Sequence, residues 1–205
     1  QVSIIAGRIS INSLPDDFEL PADGLNIRWP DPPMEQEMRL HRYAVKAAQA
    51  FARANGIDKV VMDSPQARLG IVTTGKSYLD VLQALEYLGL DEKACADIGI
   101  RVYKVGMTWP LEPQGIGEFS RGLQDIVVVE EKKAFIERQM KEYFYNWPAG
   151  WGARPSIVGK YDEQGEWILP STGELTPATI AGVIGRRIQR FFNTESIEER
   201  LRWMD

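Results

Sequence analysis

Apolar side chains change their spacing several times between the two ends of this sequence, and each change marks an element. From Val2 to Ile11 they alternate with polar ones, the period of a half-exposed strand. Pro15, Pro21, Pro30, Pro32 and Pro33 then crowd too closely for helix, so residues 1–33 read as a proline-rich arm or linker that needs a surface to lie on. Met34 to Ala54 is alanine-rich and holds neither glycine nor proline. Leu40, Ala44, Ala47, Phe51 and Ala54 share one helical face there, and Asn55-Gly56 supplies the stop, which gives a leading helix over 34–55.

Beyond that point strands and helices take turns. Val60–Met62 and Leu69–Val72 are short apolar runs, and Asp63-Ser64-Pro65-Gln66 between them is a turn signal that predicts an antiparallel pair. Tyr78 to Leu88 is helical, with Leu79, Val81, Leu82, Leu85 and Leu88 inward and Gly89 as terminator. Strands are expected at Ile100–Val105, Asp125–Val129 and Ser156–Val158, with Trp167–Leu169 pairing nearby. Helices are expected within Pro110–Gly122 and over Lys133–Tyr145. Thr176 is the N-cap and Pro177 the first residue of a helix striped by Ile180, Ile184, Ile188 and Phe191. Gly182 and Gly185 inside it imply close approach to a neighbour, since glycine is otherwise costly there. Glu195 to Met204 forms a separate terminal helix.

Strands alternating with helices predict a Rossmann-like, three-layer α/β/α sandwich: a mostly parallel five-stranded sheet with one antiparallel strand. The near-continuous apolar run Ile126–Val129 suits a strand covered on both faces. The expected organisation is an arm (1–33), the α/β domain (34–192) and a terminal helix or linker to a following domain (193–205).

Composition narrows the chemistry. Lys and Arg number 24 against 29 Asp and Glu, a net charge of -5, which argues against a nucleic-acid partner. Cys95 is the sole cysteine and His41 the sole histidine of the 205 residues. No thiolate cluster for zinc or iron–sulfur can form, and a reducing, cytoplasmic setting is expected. His41, lacking a partner histidine or cysteine, reads as a packing or surface residue. No apolar run approaches the ~18 residues of a membrane-spanning helix. The chain begins at Gln1 and is read as a piece cut from a longer polypeptide, with a processed mature protein as the competing reading.

Gly70-Ile-Val-Thr-Thr-Gly75-Lys76-Ser77 spells the phosphate-loop pattern literally. A phosphate cradle needs its strand to end before the first glycine, whereas here the apolar run continues through Gly70 to Thr73. What remains is a glycine turn, a lysine and a helix start at the carboxyl end of a strand, the edge where open α/β sheets bind ligands. The bland alternative is a tight turn with Ser77 capping the helix. Glu130-Glu131-Lys132-Lys133 opens the next such edge; adjacent acids do not converge on one target, and acids at a helix start favour its dipole. Gly106-Met107-Thr108-Trp109-Pro110 exposes a large ring that packs under the sheet or anchors a neighbouring domain. Trp147-Pro-Ala-Gly-Trp151-Gly152 carries the same two alternatives. The candidate ligand or interdomain edge is therefore Thr74, Gly75, Lys76, Ser77, Gly106, Trp109, Glu130 and Lys132.

These residues also carry a resemblance. Gly70–Asp80, Tyr103–Pro113, Val127–Lys132, Leu169–Pro177 and Gly24–Asp31 resemble, in order and over about Gly24 to Arg187, the large chain of indolepyruvate ferredoxin oxidoreductases, closest to the long fused bacterial form. The resemblance implies a transketolase C-terminal-like domain set between two thiamine diphosphate-binding domains. It implies a parent enzyme that oxidatively decarboxylates aryl 2-oxoacids to acyl-CoA and passes electrons through iron–sulfur clusters to ferredoxin. Thiamine diphosphate, magnesium and iron–sulfur are implied for that parent, with coenzyme A and ferredoxin as partners and a homodimer as the assembly. The Gly-Asp-Gly…Asn element that holds diphosphate through a metal is missing, as is a Cys-x-x-Cys run. No catalytic, cofactor-binding or metal residue is carried over, and the expected role of this chain is structural. Two other classes stay in view: a small-ligand domain that binds a phosphate or coenzyme A moiety at the strand-end edge, and a nucleotide hydrolase dependent on Lys76.

Overall fold

The computed structural model describes residues 11–15, 18–26 and 29–204. The expected strand over Val2–Ile11 lies, but for Ile11, outside the described residues. The chain divides into two compact units between Ile57 and Asp58.

The first unit is one long helix preceded by turns. Pro15 and Pro21 each start a turn, their carbonyls accepting from Phe18 and Gly24 at 2.9 Å. Helix α1 (Pro33–Arg39) passes through a π-helical stretch, Leu40–Ala44, into α2 (Val45–Ala54). Pro33 occupies the first helical position, where its missing N–H costs nothing. Arg39 donates to Asp23 Oδ1 at 2.9 Å and to the Gly24 carbonyl at 3.0 Å, and Asn12 exchanges hydrogen bonds with Asn55, so the arm lies against the helix. The buried stripe is Ala47, Ala50 and Ala52, while Leu40 and Phe51 are exposed. The expected face is corrected because the π-helical residues turn the pattern relative to a regular 3.6 period. His41 sits exposed within that stretch.

The second unit holds the sheet. Strands β1 (Lys59–Met62), β2 (Leu69–Thr74), β3 (Ile100–Val105), β4 (Asp125–Val129) and β5 (Ser156–Val158) lie in the order β1-β3-β2-β4-β5. All neighbours are parallel except β1, which runs antiparallel to β3 with a bulge between Val60 and Met62. One reversed strand was expected, but its partner was not. Both edges of β2 are taken by β3 and β4, so Asp63–Arg68 is no hairpin. It crosses the start of β3, where Arg68 and Leu69 donate to the Gly99 carbonyl and Ser64 Oγ to that of Ala96.

Helices α3 (Gly75–Tyr87), α4 (Glu92–Ile98), α7 (Pro177–Ile188) and α8 (Glu195–Met204) cover one face. Helices α5 (Pro113–Ser120) and α6 (Ile136–Tyr145) cover the other. Alternation along each strand feeds both cores: Leu69, Ile71, Val102, Val127 and Val129 point to the first, Val72, Tyr103, Ile126 and Val128 to the second. This is the three-layer sandwich. Val81, Leu85 and Leu88 of α3 are buried as expected, but Leu79 is 61% exposed, since it lies on the outer side of that helix. A Cβ on Gly185 would stand 2.6 Å from Leu201 Cδ2 and 3.1 Å from Leu88 Cδ2, so that glycine sets the approach of α7 to α8 and α3. Helix α4 was not expected, although Asp91 accepting from Ala94 N at 2.7 Å and left-handed Gly99 bracket it by ordinary capping. Trp167–Leu169 makes only an isolated bridge, Trp167 to Tyr161. Among the described residues no helix is long and apolar enough to cross a membrane.

Candidate functional site at the carboxyl edge of the sheet

Because β2 to β5 are mutually parallel, their last residues share one edge, and the loops after Thr74, Val105, Val129 and Val158 meet there. Gly70 lies inside β2, paired with Arg101 and Ile126 and packed beneath Phe119 and Leu123. No loop separates the strand from helix α3, so the phosphate-loop letters do not make a phosphate loop, and the hydrolase class loses its footing. Thr74 Oγ1 donates to the Val105 carbonyl at 2.9 Å and joins the first two strand ends. Gly75 turns at φ +53, a conformation that favours glycine, and starts α3 directly. Ser77 is buried in the first turn and does not cap; Thr74 holds the N-cap position and makes no side-chain cap bond.

Lys76 pairs with Asp80 at 2.9 Å and with Glu174 at 3.2 Å, and these acids hold its ammonium above the usual lysine range. Gly106 N and Met107 N both donate to Asp58 Oδ1, at 2.7 and 3.0 Å. Burial raises the Asp58 carboxyl, and those two N–H groups oppose the rise. The same loop is held from α6 by Gln139, which accepts from Leu111 N and donates to the Thr108 carbonyl, each at 2.9 Å. Trp109 stands 55% exposed on it.

Glu130 is buried and turned inward. Its carboxylate accepts from Phe135 N, Ile136 N and Glu137 N at 2.9, 2.8 and 3.1 Å, capping α6 from a position upstream of the helix. Burial raises its pKa and the backbone donors oppose that shift. Lys160, also buried, donates to the carbonyls of Glu130, Glu131 (3.1 Å) and Pro170 (3.4 Å), and burial lowers its pKa. Lys132 is exposed and donates to the Gly173 carbonyl. Residues 170–174 therefore touch lysines from the ends of β2, β4 and β5. Asp58 and Lys160 escaped the sequence reading, and residues 170–174 entered it only within the resembling block Leu169–Pro177, with no place at the site. The one local signal was Gly159, where no room exists for a Cβ beside the Glu137 carboxylate that also accepts from Lys160 N.

The loop at Trp147–Gly152 packs inward. Trp147 meets Phe144 and Trp151 edge-on at 4.9 and 5.3 Å, and Trp151 rests where a side chain on Gly117 would be. At the opposite edge, Arg187 binds Asp125 at 3.0 Å and Glu163 at 2.7 Å, with Arg190 adding 2.9 Å to Glu163.

An iron–sulfur cluster does not fit these residues: Cys95 is the sole cysteine of the sequence and is buried, its thiol pushed up to about 12, so the several thiolates a cluster needs cannot gather. Among the described residues no three His, Cys, Asp or Glu side chains gather as metal ligands.

What this geometry defines is an α/β domain whose strand-end charges are bound to its own loops. The family model of the indolepyruvate oxidoreductase domain matches residues 59–205, and the chain belongs to that family, within the indolepyruvate ferredoxin oxidoreductases. Indolepyruvate oxidoreductase subunit IorA of Pyrococcus abyssi is 28% identical over 178 residues, 84% of this chain and 24% of that protein. IorA of Methanothermobacter marburgensis is 29% identical over 141 residues, covering 69% of this chain and 21% of that one. The chain thus spans about a quarter or less of the curated relatives it matches. Among solved structures, a 2-oxoglutarate:ferredoxin oxidoreductase from Magnetococcus marinus is similar over 77% of this chain and 24% of its own, at 18% identity and a TM-score of 0.44.

Proposed function

We propose that this chain is a structural and assembly domain of an indolepyruvate ferredoxin oxidoreductase that oxidatively decarboxylates aryl 2-oxoacids to acyl-CoA. Thiamine diphosphate, magnesium and iron–sulfur clusters belong to other parts of that enzyme, as do the sites for coenzyme A and ferredoxin. The domain is of the transketolase C-terminal-like kind, runs from 34 to 192 with its leading helix, and works in a cytoplasmic homodimer. The observation that supports this reading most is the state of the strand-end edge. Glu130, Lys132 and Lys160 all bind the chain's own backbone, and the exposed Trp109 ring stands outward on the neighbouring strand-end loop. An exposed ring on a loop braced by Asp58 and Gln139 suits an anchor for a flanking thiamine-binding domain.

The reading is tested in the full-length enzyme with Trp109→Glu. Assembly weakens at least tenfold by analytical ultracentrifugation or inter-domain proteolysis, while the melting temperature of the present chain carrying the same change stays within about 2 °C. Unchanged assembly of the variant rejects the docking role. Formation of acyl-CoA by the present chain alone, given 2-oxoacid, thiamine diphosphate, coenzyme A and an electron acceptor, rejects the structural role.

A further inference from the structure

Helix α1 and the π-helical stretch after it, residues 33–44, hold no buried side chain, although a helix this short needs a packed face to persist in water. The arm covers one side only: Gln36 donates to the Asp31 carbonyl at 2.8 Å, and Arg39 to Asp23 and the Gly24 carbonyl. Around the helix from these contacts Met34, Met38, Arg42 and Lys46 recur every four residues and are all exposed, the methionines by 81% and 55%. Arg42 and Lys46 are like charges one turn apart, an arrangement that weakens a solitary helix. Both lie too far from the last residue, Ala54, for the helix dipole to account for them. The exposed acids Glu35 and Glu37 lie toward the opposite end. A second copy turned end for end brings those acids to the cations and lays the aliphatic stems of the cations on the methionines; a parallel copy stacks like on like.

We propose that this stripe is the seam of an antiparallel helix pair between two copies of the chain, closed by Glu37 of each copy on Lys46 of the other. The two-fold axis then passes between His41 and Arg42, and every contact across the seam occurs twice. The inference rests on the homodimer of the reading above and names its surface. Trp109 belongs to the other compact unit, so the docking role and the helix seam fail separately.

Sedimentation equilibrium of the present chain at low salt measures the pair. Wild type dimerises, and Lys46→Glu and Glu37→Lys each weaken the dimer about tenfold or more, because each turns two attractive contacts into two repulsive ones. Lys46→Glu also converts the repulsive Arg42–Lys46 neighbours into an attractive pair, so its weaker dimer cannot be put down to a lost helix. The double variant Glu37→Lys/Lys46→Glu returns to within about threefold of wild type. Positions 37 and 46 are about 13 Å apart along one helix, so that recovery arises only between copies. A wild-type chain that stays monomeric at ~1 mM, the weak end of specific association, overturns the proposal. So does a dimer indifferent to the single changes, or a double variant that fails to recover.

Discussion

Removing the Glu130 carboxylate tests whether the interior of the strand-end edge is a structural joint. The side chain is 5% exposed and accepts three backbone N–H groups at the start of α6. In Glu130→Ala those donors lose their acceptor at a position where water enters poorly, and each stranded donor costs about 1–3 kcal/mol. Relief from burying a charge, visible in the raised pKa, offsets part of that loss. The net expectation is about 3 kcal/mol, a large share of the ~5–15 kcal/mol that holds a domain folded. Glu130→Gln keeps one acceptor oxygen but turns an amide toward an N–H, for about 2 kcal/mol. Urea unfolding followed by tryptophan fluorescence and far-ultraviolet circular dichroism measures both values. Hydrogen exchange locates the loss at residues 135–137. If either variant lies within about 0.5 kcal/mol of the wild type at unchanged m-value, the carboxylate is not the cap of α6 and the reasoning fails.

Three further outcomes are expected. Gly99→Ala destabilises the sheet by about 2–4 kcal/mol in the same urea assay, because φ there is +104 and the new Cβ would meet the Gln66 carbonyl oxygen at 2.7 Å. Glu163 is held far below the usual carboxylate range by hydrogen bonds from Arg187 and Arg190. A depressed folded-state pKa means its stabilisation is present above about pH 4.3 and fades as pH falls further; melting temperatures of Glu163→Gln and wild type therefore differ at pH 6 and converge toward pH 2. Cys95, buried with its thiol pushed up to about 12, reacts with a disulfide reagent at least 100-fold more slowly in native than in unfolded protein, a ratio set by thiolate content and access.

Local chemistry in the sequence located most of the elements, and long-range pairing escaped it. The cap at Thr176-Pro177, the strand Asp125–Val129 and the refusal of Gly70–Ser77 to form a phosphate loop follow from neighbouring residues alone. The partner of β1 does not: Asp63–Gln66 looks like a hairpin turn, and only the filling of both β2 edges by later strands rules that out. The candidate edge was legible as an address. Thr74, Gly106, Glu130 and their neighbours do end the strands of one edge, because that follows from parallel order. Which way each side chain faces was not legible. Glu130 bends back to a helix that begins at Ile136, and Lys160 reaches three carbonyls on two other segments. The helical face of 34–54 was misjudged for a related reason, since one widened turn rotates everything after it.

The placement of β2 at the centre has a kinetic corollary. Residues 69–74 leave the ribosome with both backbone edges open, and neither can close until residues 100–105 and 125–129 have followed. At ~5–20 residues per second that interval lasts on the order of several seconds, during which an almost wholly apolar ribbon awaits its neighbours. Nascent chains stalled before residue 125 should consequently be the most chaperone-dependent of any length.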